Sequence, residues 1–499
     1  MRLALALAFT ALLAANAPWH QAFLPDDEGY ELMKAWLLQR GHPLYGEIWS
    51  DQPPLHTWIL SAAFRLFGTS IATGRAVALA FTALALWTLA TLVGRRHGQL
   101  LAALALLALV LSPGFTRLAA SATIMLPALA VALLGVVLLP PALRISGGEH
   151  LEKPISENPA PMTGTTPAPA AGRGRLFLAG VVFGLALQIK FIALIILPLV
   201  LCEFARQLPG GKPWPRLREF LRRLAVWTAG AALAFATVLA LCPDASTAML
   251  WSPHLSAATR ATFAPGGPRL HATLRQDADV LALVGAGLLL GLVRRRLDYL
   301  PPLFLFLVAY VGHSWLRPFW GYYYLHLALP LAWLTALATG DLVAWTATAQ
   351  RTGALLARFV LTAALLANVL AHLPERLEKS RAGLRGDVLG APPAVLQILR
   401  DHAGAWAFAD PPALAFQAGV PVPPEAAVLS QKRIRLGLFT EADFLRCLEK
   451  RRPGVVVLGA APVGEAARAY LAEHYEPATP ANITGILRLR RPPTVPARP

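Results

Sequence analysis

Charge is what this sequence has least of. Only 15% of its 499 residues are charged, and acids are the scarcer sign, 28 against 45 Lys and Arg. A soluble domain carries about 25% charged residues, so a soluble globular chain is excluded. With 56% hydrophobic residues, the protein is an integral membrane protein. Cysteine is also scarce. Cys202, Cys242 and Cys447 stand far apart with no C-x-x-C spacing, which argues against a disulfide framework or a cysteine zinc site. No nucleic-acid-binding motif and no long basic tail accompany the net charge of +17. Lys and Arg gathered on the cytoplasmic side of a bilayer produce that sum without a nucleic-acid partner. No internal repeat is visible, whereas a permease would show inverted repeats with interrupted helices in matching halves.

What is present is apolar run after apolar run. They fall near 3–24, 71–94, 98–116, 119–141, 176–205, 224–243, 278–293, 298–313, 322–345 and 354–373, against a need of about 20 residues per bilayer crossing. The basic clusters "GRRHG", "GRGR", "PRLREFLRRL" and "VRRRL", with Arg351 to Arg358, mark the cytoplasmic side. The run 176–205 is basic at both ends, which one helix cannot satisfy. Two short helices with a bend near "LQIKF" can, and they leave Lys190 at the outer side. The expectation is a polytopic α-helical protein of about eleven transmembrane helices, N-terminus inside and C-terminus outside. The N-terminal run resembles a signal peptide ending at "ANA", Ala15 to Ala17, but its continuation to Leu24 favours an uncleaved first span. Residues 152–172, rich in Pro, Ala and Thr, read as a disordered cytoplasmic loop. Residues 1–373 form the membrane domain on this reading. The less apolar tail, 374–499, reads as a small extracytoplasmic α/β domain. In it "AWAFAD" and "GVVVLGA" are strands, "EADFLRCLEK" and "GEAARAYLAEHY" are helices, and no G-x-G-x-x-G supports nucleotide binding. Arg far outnumbers Lys, which points to a GC-rich bacterial genome.

Where acids are rare, "LPDDEGYELMKAW" stands out. Asp26, Asp27 and Glu28 crowd the point where the first span leaves the bilayer. The bland reading is a solvated helix start, since anions complement the helix dipole. The first outer loop, 25–70, carries two amphipathic stretches that read as helices lying flat on the membrane. In the first, Leu32, Met33, Trp36 and Leu37 oppose Glu31, Lys34 and Gln39; the second is "LHTWILSAAFRL". Positive charge should avoid outer loops. Yet Arg117, Arg260, Arg269, Arg275 and Arg317 fall outside, with Arg75 and Lys190 near the outer surface. Singly, each reads as a snorkelling or headgroup-contacting residue. Together with the acids they suit a polyprenyl-phosphate sugar, which presents an apolar tail, a phosphate, and a sugar beside a general base.

Further motifs follow in order: "DEGY" (Asp27 to Tyr30), "G-x-P-x-Y" (Gly41, Pro43, Tyr45), "PPL" (Pro53 to Leu55), "LFG" (Leu66 to Gly68) and Arg75. The segments "GLALQIKFIALIILPLVL" and "GYYYLHLALPLAW" come later. Over about 1–345 the sequence resembles glycosyltransferase family 39 of the GT-C superfamily. That group includes protein O-mannosyltransferases and the aminoarabinose transferases that modify lipid A. The resemblance implies a GT-C-like fold and a membrane glycosyltransferase. It places the catalytic carboxylate on Asp27 or Glu28, with Asp26 a spare base, a metal ligand or a solvated cap. Lys190 and Arg317 would meet the donor phosphate, with Arg75 and Arg117 behind them. Gln52 stands where many relatives have Lys before the double proline, and an amide cannot neutralise a phosphate. "SATIM" (121–125) stands where others have an acid.

Tyr324, His326, Tyr45 and His56 are candidates for a sugar or acceptor pocket, with Trp320, Tyr322 and Tyr323, although interfacial aromatic belts look alike. The sequence points to no particular cofactor, and a divalent metal stays open. The implied partners are a polyprenyl-phosphate-linked sugar, an acceptor protein, lipid or glycan, and membrane lipids, with no nucleic acid. The implied location is a bacterial cytoplasmic membrane, with the site on the outer face. The competing class is a lipid-linked sugar flippase or a transporter. Flipping needs mainly the cations, whereas catalysis also needs the carboxylate.

Overall fold

The computed structural model describes residues 1–17, 19, 27–140, 169–208, 212–259, 263–385, 393–459, 461–478 and 486–490. Asp26, Arg260 and residues 152–168 of the Pro-, Ala- and Thr-rich segment lie outside the described residues. The last residues of that segment open the helix Pro169–Ile189.

The chain is mostly helical. Its helix Ile71–His97 shows why. Ser70 caps the start, its Oγ accepting the Thr73 N–H at 3.0 Å. Arg95, Arg96 and His97 fill the last turn, where cations complement the dipole. Gly98, at φ 88°, ends it. Its 27 residues span about 40 Å, more than the hydrocarbon core of a bilayer. Among the described residues five helices are long and apolar enough to cross a membrane, or seven if two bent pairs each count as one span. The eleven spans expected from the apolar runs are not reached by that measure. Several runs fold into helices too short to cross alone, such as Met125–Leu138. In one bent pair, Gln99–Val110 and Pro113–Ala119, the axis turns by 81°. The cause is Pro113, which lacks an N–H and drives Ser112 to extended backbone. The 176–205 run breaks at Lys190, whose extended backbone separates Pro169–Ile189 from the 3-10 turn Phe191–Ile196 and the helix Leu197–Arg206.

Helix pairs approach through small residues. A Cβ on Gly184 would lie 2.3 Å from the Ala231 carbonyl oxygen, and one on Gly180 would lie 2.0 Å from that of Trp227. The helices Pro169–Ile189 and Pro213–Ala240 are therefore seated backbone to backbone along a small-xxx-small seam. Arg95, Arg96 and Arg175 gather at one end of the bundle, where Arg95 donates to the Val137 carbonyl and Arg96 pairs with Glu203. Arg75 and Lys190 lie at the opposite ends of the same helices.

The C-terminal region forms a four-stranded sheet in the order β1-β2-β4-β3. Strand β1 (Ala407–Ala409) pairs parallel with β2 (Val455–Leu458). The antiparallel partners of β4 (Ile486–Arg490) are β2 and β3 (Tyr475–Pro477). Helices Glu441–Arg451 and Glu465–His474 flank it, the first opened by a Thr440–Asp443 capping box. This unit shares a core with the helix Glu28–Gln39: Leu32, Met33 and Leu37 pack in one cluster with Leu399, Phe416 and Val455. A Cβ on Gly29 would sit 2.7 Å from that of Ala413. The helix Glu28–Gln39 is thus covered on both sides. It does not lie flat on a headgroup surface, and Glu31 and Lys34 are buried within it.

Candidate active site

Asp27 stands directly before the helix Glu28–Gln39, but its side chain makes no capping hydrogen bond to it. Instead its carboxylate receives the Tyr322 hydroxyl. Asp27 lines two adjoining cavities of about 70 and 130 Å³, both walled by Tyr30, Trp320, Tyr322 and Ser430. Lys190 faces the smaller one. The helix break presents it, and its Nζ lies 5.3 Å from the centre of the Tyr322 ring.

Glu28 points the other way. Its carboxylate is fully buried and takes two hydrogen bonds from Arg75, at 3.1 and 2.9 Å, and one from the Ala122 N–H at 2.9 Å. Three charge-assisted bonds of this kind hold a carboxylate firmly in place. Ala122 belongs to the "SATIM" stretch. Glu28 and Arg75 thus lock the start of the helix Glu28–Gln39 to the bundle, and neither lines the cavity.

The cavity wall carries charges that sequence reading had placed elsewhere or passed over. Glu31 bonds Lys34 at 2.9 Å and His56 at 3.2 Å. Burial acts to raise its carboxyl, but Lys34 and His56 outweigh burial and hold it at about 2. Asp51 pairs with Lys432 and receives the Gln52 amide at 2.9 Å. Burial acts to raise its carboxyl too, and Lys432 and His254 pull it well below the usual range. His254 is lowered by burial and then by Lys432. It is therefore neutral near pH 7. Lysine has only donors, so the 3.2 Å contact from Lys432 Nζ makes His254 Nδ1 the acceptor. Its Nε2–H then donates to the Asp51 carbonyl at 2.9 Å.

The remaining candidates divide into supports and outsiders. Tyr45, at φ 74°, donates its hydroxyl to the Gln52 carbonyl at 2.7 Å and so fixes that turn. His56 serves Glu31. His326 meets His313 at 2.7 Å and stacks on Tyr323, behind the cavity wall. Tyr324 turns away and bonds Asp277, which Arg376 also holds. Arg317 is half-buried and Arg117 exposed, and neither lines the cavity. Among the described residues no group of three or more His, Cys, Asp or Glu is placed to hold a metal ion. Sequence signals for the missed residues were slight. Lys34 lies one turn after Glu31, and Asp51 precedes Gln52. Lys432, in "QKRIR", looked like any solvated basic run.

A fold with a charged pocket at one end of a lipid-embedded bundle has known relatives. The family described as dolichyl-phosphate-mannose-protein mannosyltransferase matches residues 51–144. The crystal structure of ArnT from Cupriavidus metallidurans bound to undecaprenyl phosphate superposes with a TM-score of 0.62 at 14% identity, covering 97% of each chain. Its apo form gives 0.57 at 15% identity, again over 97% of each chain. The Archaeoglobus fulgidus oligosaccharyltransferase tethered with an acceptor peptide gives 0.47 at 14% identity, over 92% of this chain and 69% of that one. No curated protein matches the sequence. At such identity the likeness to ArnT is one of fold. The protein is a multi-pass membrane protein that shares the fold of the ArnT structures. The matched family is, by its description, one of mannosyltransferases, and the ArnT of the first structure holds undecaprenyl phosphate.

Proposed function

We propose that the protein transfers a sugar from a polyprenyl-phosphate donor to an acceptor hydroxyl on a protein, lipid or glycan, in the cavity lined by Asp27 and Lys190. The face is extracytoplasmic: the arginine cluster at the opposite end of the bundle marks the cytoplasm by the positive-inside rule. The observation that carries this reading is the pairing of Asp27 with Lys190 in one cavity. Asp27 is the general base. It takes the proton of the acceptor hydroxyl as that oxygen bonds to the anomeric carbon and the carbon–phosphate oxygen bond breaks. Attack opposite the leaving group inverts the anomeric configuration. Asp27 loses its charge as the departing phosphate gains one, so the cavity keeps its net charge through the step. Lys190 meets the charge that builds on the phosphate. Glu28 and Arg75 act as positioning residues that set the angle of Asp27. The apolar tail of the donor lies in the bilayer beside the bundle. The undecaprenyl phosphate held by ArnT, a protein of the same fold, supports that donor class.

The experiment is donor consumption. Membranes containing the protein are offered a panel of radiolabelled polyprenyl-phosphate sugars. At least one is consumed, with release of polyprenyl phosphate. A panel left untouched with every acceptor class, by folded protein, rejects the proposal.

A further inference from the structure

The C-terminal unit reaches into the catalytic cavity. Its short helix Gln431–Arg435 is capped by Ser430, and Lys432 on it lines the cavity together with Asp27 and Lys190. The Lys432 ammonium is held between two groups from distant parts of the chain. It lies against the Asp51 carboxylate of the first outer loop and donates to His254 Nδ1 at 3.2 Å. The backbone on either side is pinned as well. Tyr30 donates to the Leu429 carbonyl at 3.2 Å, and the Arg433 guanidinium sits 4.7 Å over the Trp49 ring.

Charge arithmetic gives this placement a purpose. The cavity is lined by three carboxylates, Asp27, Glu31 and Asp51, and by three lysines, Lys34, Lys190 and Lys432. Lys34 is closed off with Glu31 in a buried pair. A phosphodiester donor adds one negative charge, and the leaving phosphate gains a second as the bond breaks while Asp27 loses its own. Lys190 alone does not match that load, and the neighbouring Gln52 is a neutral amide. An ammonium has three donors. Asp51 and His254 take two, which leaves one for a phosphate oxygen.

We propose that Lys432 is a second cation for the donor phosphate, delivered by the C-terminal domain, so that docking of this domain completes the donor site. The inference rests on the donor reading above. The fit of Gly29 against Ala413 is then part of the catalytic design, since it seats the domain directly on the helix that follows Asp27.

The test uses purified full-length protein in nanodiscs and radiolabelled undecaprenyl phosphate, the leaving lipid, with retention on the protein as readout. Lys432→Met weakens binding about tenfold or more, the scale of a lost hydrogen bond to a charged group. Lys432→Arg retains most of it. Asp51→Asn binds more tightly than wild type, because a carboxylate beside the phosphate is gone while the lysine stays. The double variant Asp51→Asn/Lys432→Met leaves no unpaired charge to disturb folding and binds as weakly as Lys432→Met. If Lys432 merely clamps Asp51, Asp51→Asn weakens binding as much as Lys432→Met does, and the inference is overturned. Lys432→Met binding like wild type while Lys190→Met fails overturns it too, and spares the donor reading. Wild type that retains no lipid overturns both.

Discussion

Asp27 and Glu28 are neighbours in sequence with opposite fates. Asp27 opens on a cavity, while Glu28 is buried against Arg75 and the Ala122 N–H. Removing one partner of a buried pair leaves an uncompensated charge at a cost of about 3–5 kcal/mol. Glu28→Gln should therefore lower the thermal midpoint of the detergent-solubilised protein markedly. Arg75→Met combined with it should cost less than the sum of the two single changes. A Glu28→Gln protein of native stability and no turnover would instead make Glu28 the base. Glu31 gives a pH signature. Its carboxyl is held below its ordinary value, so its contribution to stability is complete above about 4.5 and is lost as pH falls towards about 2. Thermal midpoints measured across that window should fall in wild type and fall less steeply in Glu31→Gln. The sequence singled out Asp27 because acids are rare and three stand together. It could not separate Asp27 from Glu28, since which one faces the cavity depends on where Arg75 lies across the bundle.

At the scale of elements, the break at Lys190 matters most. A helix that continued through this position would point Lys190 along the bundle. The extended residue turns it into the cavity. Lys190→Met should lower the rate constant for transfer more than it weakens donor affinity, because the charge it meets grows in the transition state. Gln52→Lys should restore part of that rate, since Gln52 lines the same cavity. Unaltered turnover in Lys190→Met, followed through single-turnover kinetics, would remove the residue from the site. The break was legible because the run is basic at both ends. The helix Glu28–Gln39 was misread for an equally physical reason. Its pattern of Leu32, Met33 and Leu37 against Glu31 and Lys34 is that of a surface helix, and no local signal says that a second domain will cover the polar side. The shared core with Leu399 and Phe416 does so. The small-residue seam makes its own prediction. Gly184→Leu drives a side chain into the Ala231 backbone and should abolish monodisperse protein in detergent. Gly312→Leu, which meets nothing within 4 Å, should be tolerated.

For the whole molecule, transfer on the extracytoplasmic face requires one orientation. The arginine-rich end belongs in the cytoplasm and the cavity outside. A reporter fused near residue 160 should read cytoplasmic, and one fused after residue 380 extracytoplasmic. A cytoplasmic reading at the C-terminal position would put Asp27 and its donor on the wrong side. The membrane class, the basic end and the alternation of strands and helices in the tail were open to sequence reading, because each is written in composition or period. The contact between the tail and the segment that carries Asp51 was not, since Lys432 and Asp51 lie far apart in sequence and meet only through tertiary packing.

In the proposed reaction Asp27 removes a proton while a polyprenyl-phosphate sugar is cleaved. The most direct measurement is the release of polyprenyl phosphate from a radiolabelled donor by purified wild type and by Asp27→Asn, with donor binding measured on the same samples. The substitution is nearly isosteric and deletes only the base. Release by Asp27→Asn should be slowed by about a hundredfold or more with donor binding preserved. Release at the wild-type rate from Asp27→Asn would contradict it.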